Sequence, residues 1–324
     1  MMRILAGILL MQVACIIAAC STFAPGNPGE SVAGTWQAAP STLYARAAHA
    51  VVSDGAVVYA LGGTGVGGKP VLAVEAFDGT AWREVTQLPG AGLNAPAAAL
   101  LDDEIYVIGG FNTVTNLPSD RVLVFDVRTR AWSEATPLPQ PRGGHAAIVV
   151  DRRIHVIGGG NSQSTLADHD AYDPHTGHWT SLAPLPRSEG SPAGVAFDGK
   201  LYAIGGRSGP RDFGNVDVYE PATDTWHTGP PIEPRGTAGA VVYCGSIHVF
   251  GGESQADGTS LDEALRLAST GSWQVLPPLP TPRNFARAVV FRDSVLVIGG
   301  SPHPEPSHAS KGSAVVERYA ENCR

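Results

Sequence analysis

Lysine is nearly missing from this chain. Of its 22 basic residues only Lys69, Lys200 and Lys311 are lysines, and the rest are arginines. Charged residues of both signs reach just 16% of 324 positions, too few for a coiled coil or a charged disordered tail. The formal charge is −8 with no basic run, so nucleic acid is not an expected partner. Cysteine (4), methionine (3) and aromatics (7%) are scarce. Long apolar stretches are absent outside the first twenty residues, so no mature membrane-spanning helix is expected. What is abundant is glycine (39) and proline (26), within a 43% hydrophobic background. That composition is turn-rich, yet short of the roughly 25–30% Gly plus Pro of low-complexity disorder. It points to an all-β chain with many tight turns.

The amino terminus reads as a targeting segment. Arg3 precedes a nearly continuous apolar stretch from Ile4 to Ile17, and Ala18-Ala19-Cys20 follows. An apolar segment of this length fits the h-region of a secretory signal. Ile17-Ala18-Ala19-Cys20 resembles the bacterial lipobox, in which the cysteine is lipidated and becomes the first mature residue; the alternative is an ordinary signal with an incidental cysteine. Residues 1–19 are thus expected to be a lipoprotein signal, with Cys20 carrying the lipid. Residues 20–33 (CSTFAPGNPGESVA) show no periodic apolar pattern and read as a tether. A serine, not an aspartate, follows Cys20, which implies an outer-membrane anchor on the periplasmic side of a Gram-negative envelope.

Residues 34–324 are one unit written six times. Glycine doublets fall at 62–63, 109–110, 158–159, 205–206, 251–252 and 299–300, each ending an alternating β-rich run such as EIYVIGG or RIHVIGG. All six tryptophans (Trp36, Trp82, Trp132, Trp179, Trp226, Trp273) recur at nearly the same period. Each period reads as four short strands. In the third, Ala146–Val150 and Arg153–Ile157 flank an Asp-Arg turn, a further strand runs to Tyr172, and an Asp-Pro-His-Thr-Gly-His turn leads into Trp179.

A glycine doublet after a strand, then an aromatic, then a tryptophan about seven residues on (Tyr172 and Trp179, Tyr219 and Trp226, Phe125 and Trp132) resembles the kelch repeat. The resemblance implies an all-β, six-bladed kelch β-propeller. The register of the ends makes a further claim. Trp36 precedes the first doublet, and the last doublet has no tryptophan after it. The segment around Trp36 should therefore supply the outer strand of the last blade and leave no open sheet edge at the seam.

Cys244 and Cys323 remain once the signal is removed. Strand counting puts both on the same face of the disc in neighbouring blades, either bonded in an oxidising compartment or as two free thiols. The ten histidines show no metal-ligand spacing. His175 and His178 read as a solvated hairpin pair, and His303 and His308 lie in a Pro-rich loop. No metal or cofactor is implied.

In propellers of this type, the loops leading into the inner strands and the loops after the doublets share one face. Sixteen residues before each doublet stand Arg46, Leu93, Arg142, Glu189, Arg235 and Arg283. Arg207, Arg211 and Arg121 follow doublets. Guanidinium forks suit carboxylates and phosphates, so one reading is a ring that binds an acidic ligand. The other is that these arginines bond backbone carbonyls and hold the blades together.

Two enzymatic kelch relatives are excluded by residues. Copper galactose oxidases need a Tyr–Cys crosslink, and the mature cysteines sit in a turn and at the carboxyl terminus. The iron motif of plant specifier proteins, Glu-x3-Asp-x3-His, begins at Glu253 and Asp257 but meets Leu261. A third, the sialic-acid mutarotase type, has a Glu after a Gly-rich strand end, matched by Glu253, and an Arg six residues later, where Thr259 stands; Glu189 and Glu253 would be its acid and base. The leading expectation is a lipid-anchored periplasmic binding protein that takes a protein or anionic glycan through Arg46, Arg142, Arg235, Arg283, Arg207, Arg211 and Glu253. The alternative is a sugar epimerase or mutarotase at the same face.

Overall fold

Each repeat folds as one four-stranded antiparallel sheet. In the computed structural model, which describes residues 34–303 and 311–323, six such sheets are present. The signal, Cys20, the whole tether and His308 lie outside the described residues. The third repeat takes the strands Ala146–Val150, Arg153–Ile157, His169–Asp173 and His178–Ser181, paired in sequence order, with Tyr172 opposite both Ile154 and Trp179. Its first turn places Asp151 and Arg152 at positive φ (48° and 59°), the backbone of a two-residue hairpin matched to strand twist.

The inner strands Ala50–Ser53, Ala97–Leu101, Ala146–Val150, Ala193–Phe197, Gly239–Tyr243 and Arg287–Phe291 neighbour one another around a central channel. Hydrophobic residues on both faces of each sheet pack against the next sheet. Val52, Leu61 and Val74 of blade one meet Ile105, Val107 and Phe125 of blade two. The core is therefore a series of blade-to-blade layers. The tryptophans stitch its rim: the Trp179 indole N–H donates to the Thr136 carbonyl (3.0 Å), Trp226 to Ala183 (2.8 Å) and Trp273 to Pro230 (2.8 Å), each in the loop leaving the preceding blade.

The doublets join the blades. The second glycine donates its N–H to the carbonyl of the residue that stands sixteen before the next blade's doublet. Gly110 bonds Arg142 (2.8 Å), Gly159 bonds Glu189 (2.9 Å), and the ring closes where Gly300 bonds Arg46 (2.9 Å). At Gly158 a Cβ would lie 2.6 Å from the Glu189 carbonyl, and φ is +61°. Glycine is needed there for space as well as for conformation.

The seam closes as the register requires. Thr35–Ala39 pairs antiparallel with Val316–Ala320, with Trp36 opposite Tyr319, and completes blade six. The Trp36 indole N–H donates to the Pro277 carbonyl of blade five (2.9 Å). Cys244, in the first turn of blade five, is bonded to Cys323, with Cα atoms 4.8 Å apart.

Candidate functional site

The four ring arginines are not at a mouth but inside the protein. Arg46 and Arg142 are 0% exposed, and Arg235 and Arg283 are 1%. Each guanidinium turns back into its own blade. It donates to the first doublet carbonyl (Arg46 to Gly62, 3.2 Å; Arg283 to Gly299, 3.1 Å) and pairs with a carboxylate on or beside the third strand. Arg142 meets Asp170 at 2.8 Å, and Arg46, Arg235 and Arg283 meet Glu75, Glu263 and Glu317. Main chain bonded to one blade and side chain bonded to the next make each arginine a rivet. The expectation that Arg46, Arg142, Arg235 and Arg283 line a ligand ring is corrected: every guanidinium is enclosed and already paired with a carboxylate, which leaves no charge free for a ligand.

Blade four breaks the pattern. Glu189 is fully buried and faces the buried Asp217. Arg187 bridges them, 3.6 Å from Glu189 and 2.5 Å from Asp217, and the Asn215 amide donates to Asp217 (2.6 Å). Burial, then the Asp217 charge, pushes the Glu189 carboxyl up to about 7, against the pull of Arg187. Glu253 lies in a different cluster: Arg207 at 2.7 Å and the Asn284 amide at 3.1 Å. Burial raises its pKa too, with Arg207 pulling it down. The two glutamates share no partner. Arg207 also lies over the Phe285 ring (5.4 Å), while the more exposed Arg211 lies over Phe213 (5.5 Å). Arg121 pairs with Glu134 at 2.6 Å.

A second repeated position, which periodicity did not single out, forms the mouth itself. The residues just after the doublets, Thr64, Phe111, Gly160, Arg207, Glu253 and Ser301, bridge to the loop residues Ala47, Asn94, Gly143, Gly190, Gly236 and Asn284. The next loop residue takes positive φ in every blade: Ala48, Ala95, Ser191, Thr237 and Phe285 at 49–59° and Gly144 at 62°. Four backbone bonds run from one of these to the next (Ala95 to Ala48 2.7 Å, Gly144 to Ala95 2.8 Å, Ser191 to Gly144 2.6 Å, Thr237 to Ser191 3.2 Å). They make a hydrogen-bonded collar around the axis. Non-glycine residues held in this region are uncommon and mark a constrained place. The available signal was variation: at the post-doublet position six blades carry six different residues, beside a doublet that never changes.

Above the collar lie two connected hollows, of about 440 Å³ and 710 Å³. They share Phe111, Asn161 and Ser162. The first adds Gln163, Arg207 and Gln255, and the second Asn94, Asn112 and Leu117. The lining is mostly amide, hydroxyl and glycine backbone. Val66 (70%), Val114 (80%) and Leu117 (57%) stand exposed on the loops of blades one and two. No group of three or more metal-ligating side chains occurs among the described residues.

The solved structure of YjhT superposes on this fold with a TM-score of 0.73 over 86% of this chain and 95% of that one, at 17% identity, which speaks to the fold alone. Human Kelch-like protein 23 is 28% identical over 250 residues, 76% of this chain and 35% of that protein. An F-box/kelch-repeat protein of Arabidopsis thaliana is 35% identical over 138 residues, 40% of this chain and 34% of that protein. The matched part thus spans about a third of these curated relatives. The KLHDC2/KLHL20/DRC7 Kelch-repeats domain matches residues 33–194 and 95–300. A propeller of this kind supports a protein-interaction role in general terms. With repeats, ring closure and matched domain in agreement, the chain belongs to the kelch-repeat family.

Proposed function

We propose that this protein is an interaction module whose loop face holds an exposed loop of a partner protein. The observation that carries the reading is the character of the groove above the collar. It offers amides, hydroxyls and one aromatic (Asn161, Gln163, Gln255, Ser191, Phe111) for main-chain recognition, with Val66, Val114 and Leu117 as apolar anchors at its edge. Because the ring arginines are enclosed, selection rests on shape and hydrogen bonding rather than on an acidic ligand. Lipidation at Cys20 would anchor the module to the periplasmic side of an outer membrane, with residues 20–33 as its leash; two acyl signals hold where one marginal chain does not.

The test is capture from envelope extract by the soluble domain, compared between the wild-type protein and Val114→Asp with Leu117→Asp. Both sites are exposed, so folding should be unaffected, and bound partner should fall at least about tenfold. Equal capture by both proteins would place binding elsewhere. Labelling with a clickable fatty acid, wild-type against Cys20→Ser, tests the anchor.

A second reading, mutarotation of an acidic sugar, is favoured by the buried Glu253 with a raised pKa beside Arg207 at the mouth. Anomer exchange of N-acetylneuraminate followed by NMR decides it: a rate equal to buffer removes the activity.

A further inference from the structure

The first residue of each inner strand is small in five blades: Ala50, Ala97, Ala146, Ala193 and Gly239. In blade six the same register position is Arg287, opposite Ile298 as Ala146 is opposite Ile157. These residues line the central channel below the collar, a cavity of about 190 Å³ walled mainly by alanine and glycine, with His145 and Ser191 also on its lining, in which Arg287 is the one charged side chain. Its Nε–H donates to the His49 carbonyl of blade one (2.9 Å). Among the described residues it has no other hydrogen bond and no ion pair. Burial first, then Arg46 for His49 in blade one and Arg142 for His145 in blade three, depress these pKa values, and the Arg287 charge adds to both. His145 belongs to blade three, across the ring from blade six, so the group projects into the channel rather than along its own blade.

A guanidinium has five donors and suits a carboxylate bidentately. Arg287 is only partly buried, and with a single bond to the protein its remaining donors face the channel. Elsewhere this fold supplies the acceptors from within, as Glu75 and Asp170 do for Arg46 and Arg142. In the channel it does not. We infer that Arg287 holds a small carboxylate anion in the central channel, its oxygens on the guanidinium and its apolar end against the alanine wall. Ser191 lines both this cavity and the groove above, which gives the anion a way in from the loop face. The overall negative charge would not draw an anion there. The pull is local, from the one guanidinium on the channel wall.

The test uses acetate as probe. Saturation-transfer NMR should show magnetisation passing from the protein to the acetate methyl, with formate displacing it. Arg287→Ala restores the residue of four other blades, and its acetate affinity should drop at least about tenfold. Arg287→Gln keeps a donor for the His49 carbonyl without the charge, and should lose acetate equally. If either variant binds acetate as the wild-type protein does, or the wild-type protein shows no saturable transfer up to 100-fold molar excess, the site is refuted. Displacement by chloride as effective as by formate would refute the carboxylate assignment.

Discussion

Blades three and four treat the same repeat position in opposite ways. In blade three, Arg142 faces Asp170, and a cation and an anion close on each other with no exposure. In blade four, Glu189 faces Asp217, and a third residue, Arg187, has to reach in from a more exposed place to separate them. Five blades place something polar behind that doublet, but not with one fixed sign. Blade two dispenses with it, placing the buried Leu93 there. A matched pair makes a rivet of two opposite charges. A mismatched one makes a group whose proton depends on conditions.

The largest effect expected from this contrast follows from removing one rivet. Arg142→Ala leaves Asp170 buried without its partner and should cost about 3–5 kcal/mol, read by denaturant unfolding. A loss under about 1 kcal/mol would mean the ion pair is ornamental. Next is the pH profile. His49, His145, His155 and His169 are held neutral chiefly by burial, His145 and His169 at about 3 and His155 at about 4. The unfolded chain protonates them near pH 6.5. Their contribution is complete above that pH and is lost as the pH falls toward 4. Glu189 has the opposite sign: the folded chain keeps its proton up to about 7, the unfolded chain only to about 4.3. Its contribution is complete at low pH and lost as the pH rises through 7. Melting temperature should peak near about pH 6.5. Glu189→Gln should flatten the alkaline limb and leave the acid limb unchanged. A change confined to the acid limb would contradict the assignment. The smallest effect belongs to the collar. Thr237→Gly relieves a positive φ of 59° and removes a buried hydroxyl without a partner. It should stabilise by at most about 1 kcal/mol. Clear destabilisation would show that the side chain, not the backbone, matters there.

Much of the architecture could be read from the chain because propellers repeat locally. The strands of the third repeat fall at Ala146–Val150 and Arg153–Ile157 as expected, and Trp36 completes the last blade. The cysteine pair was half legible, since counting strands gave a shared face but not a distance. The fate of the arginines was not legible. Their partners Glu75, Asp170, Glu263 and Glu317 stand 29, 28, 28 and 34 residues on, a spacing nearly constant in three blades that the glycine and tryptophan periods do not point to. Periodicity places a residue on the ring but does not say whether its side chain turns toward solvent or back under the sheet. Arg287 was missed for a related reason. It is an exception within a run of small residues, and only the channel gives that exception a meaning.

The seam also has a mechanical side. Thr35 lies opposite Ala320, three residues from the cysteine bonded to blade five. A pull on the amino terminus loads the outer strand of blade six first, at the end beside the covalent bolt. The force must peel the pairs from Thr35 to Ala39 one after another before it reaches the rest of the disc. Blade six, enclosed in the loop between Cys244 and Cys323, keeps its other strands joined to blade five while that strand is strained. The propeller would therefore yield at its rim and re-form there, leaving the loop face intact under load.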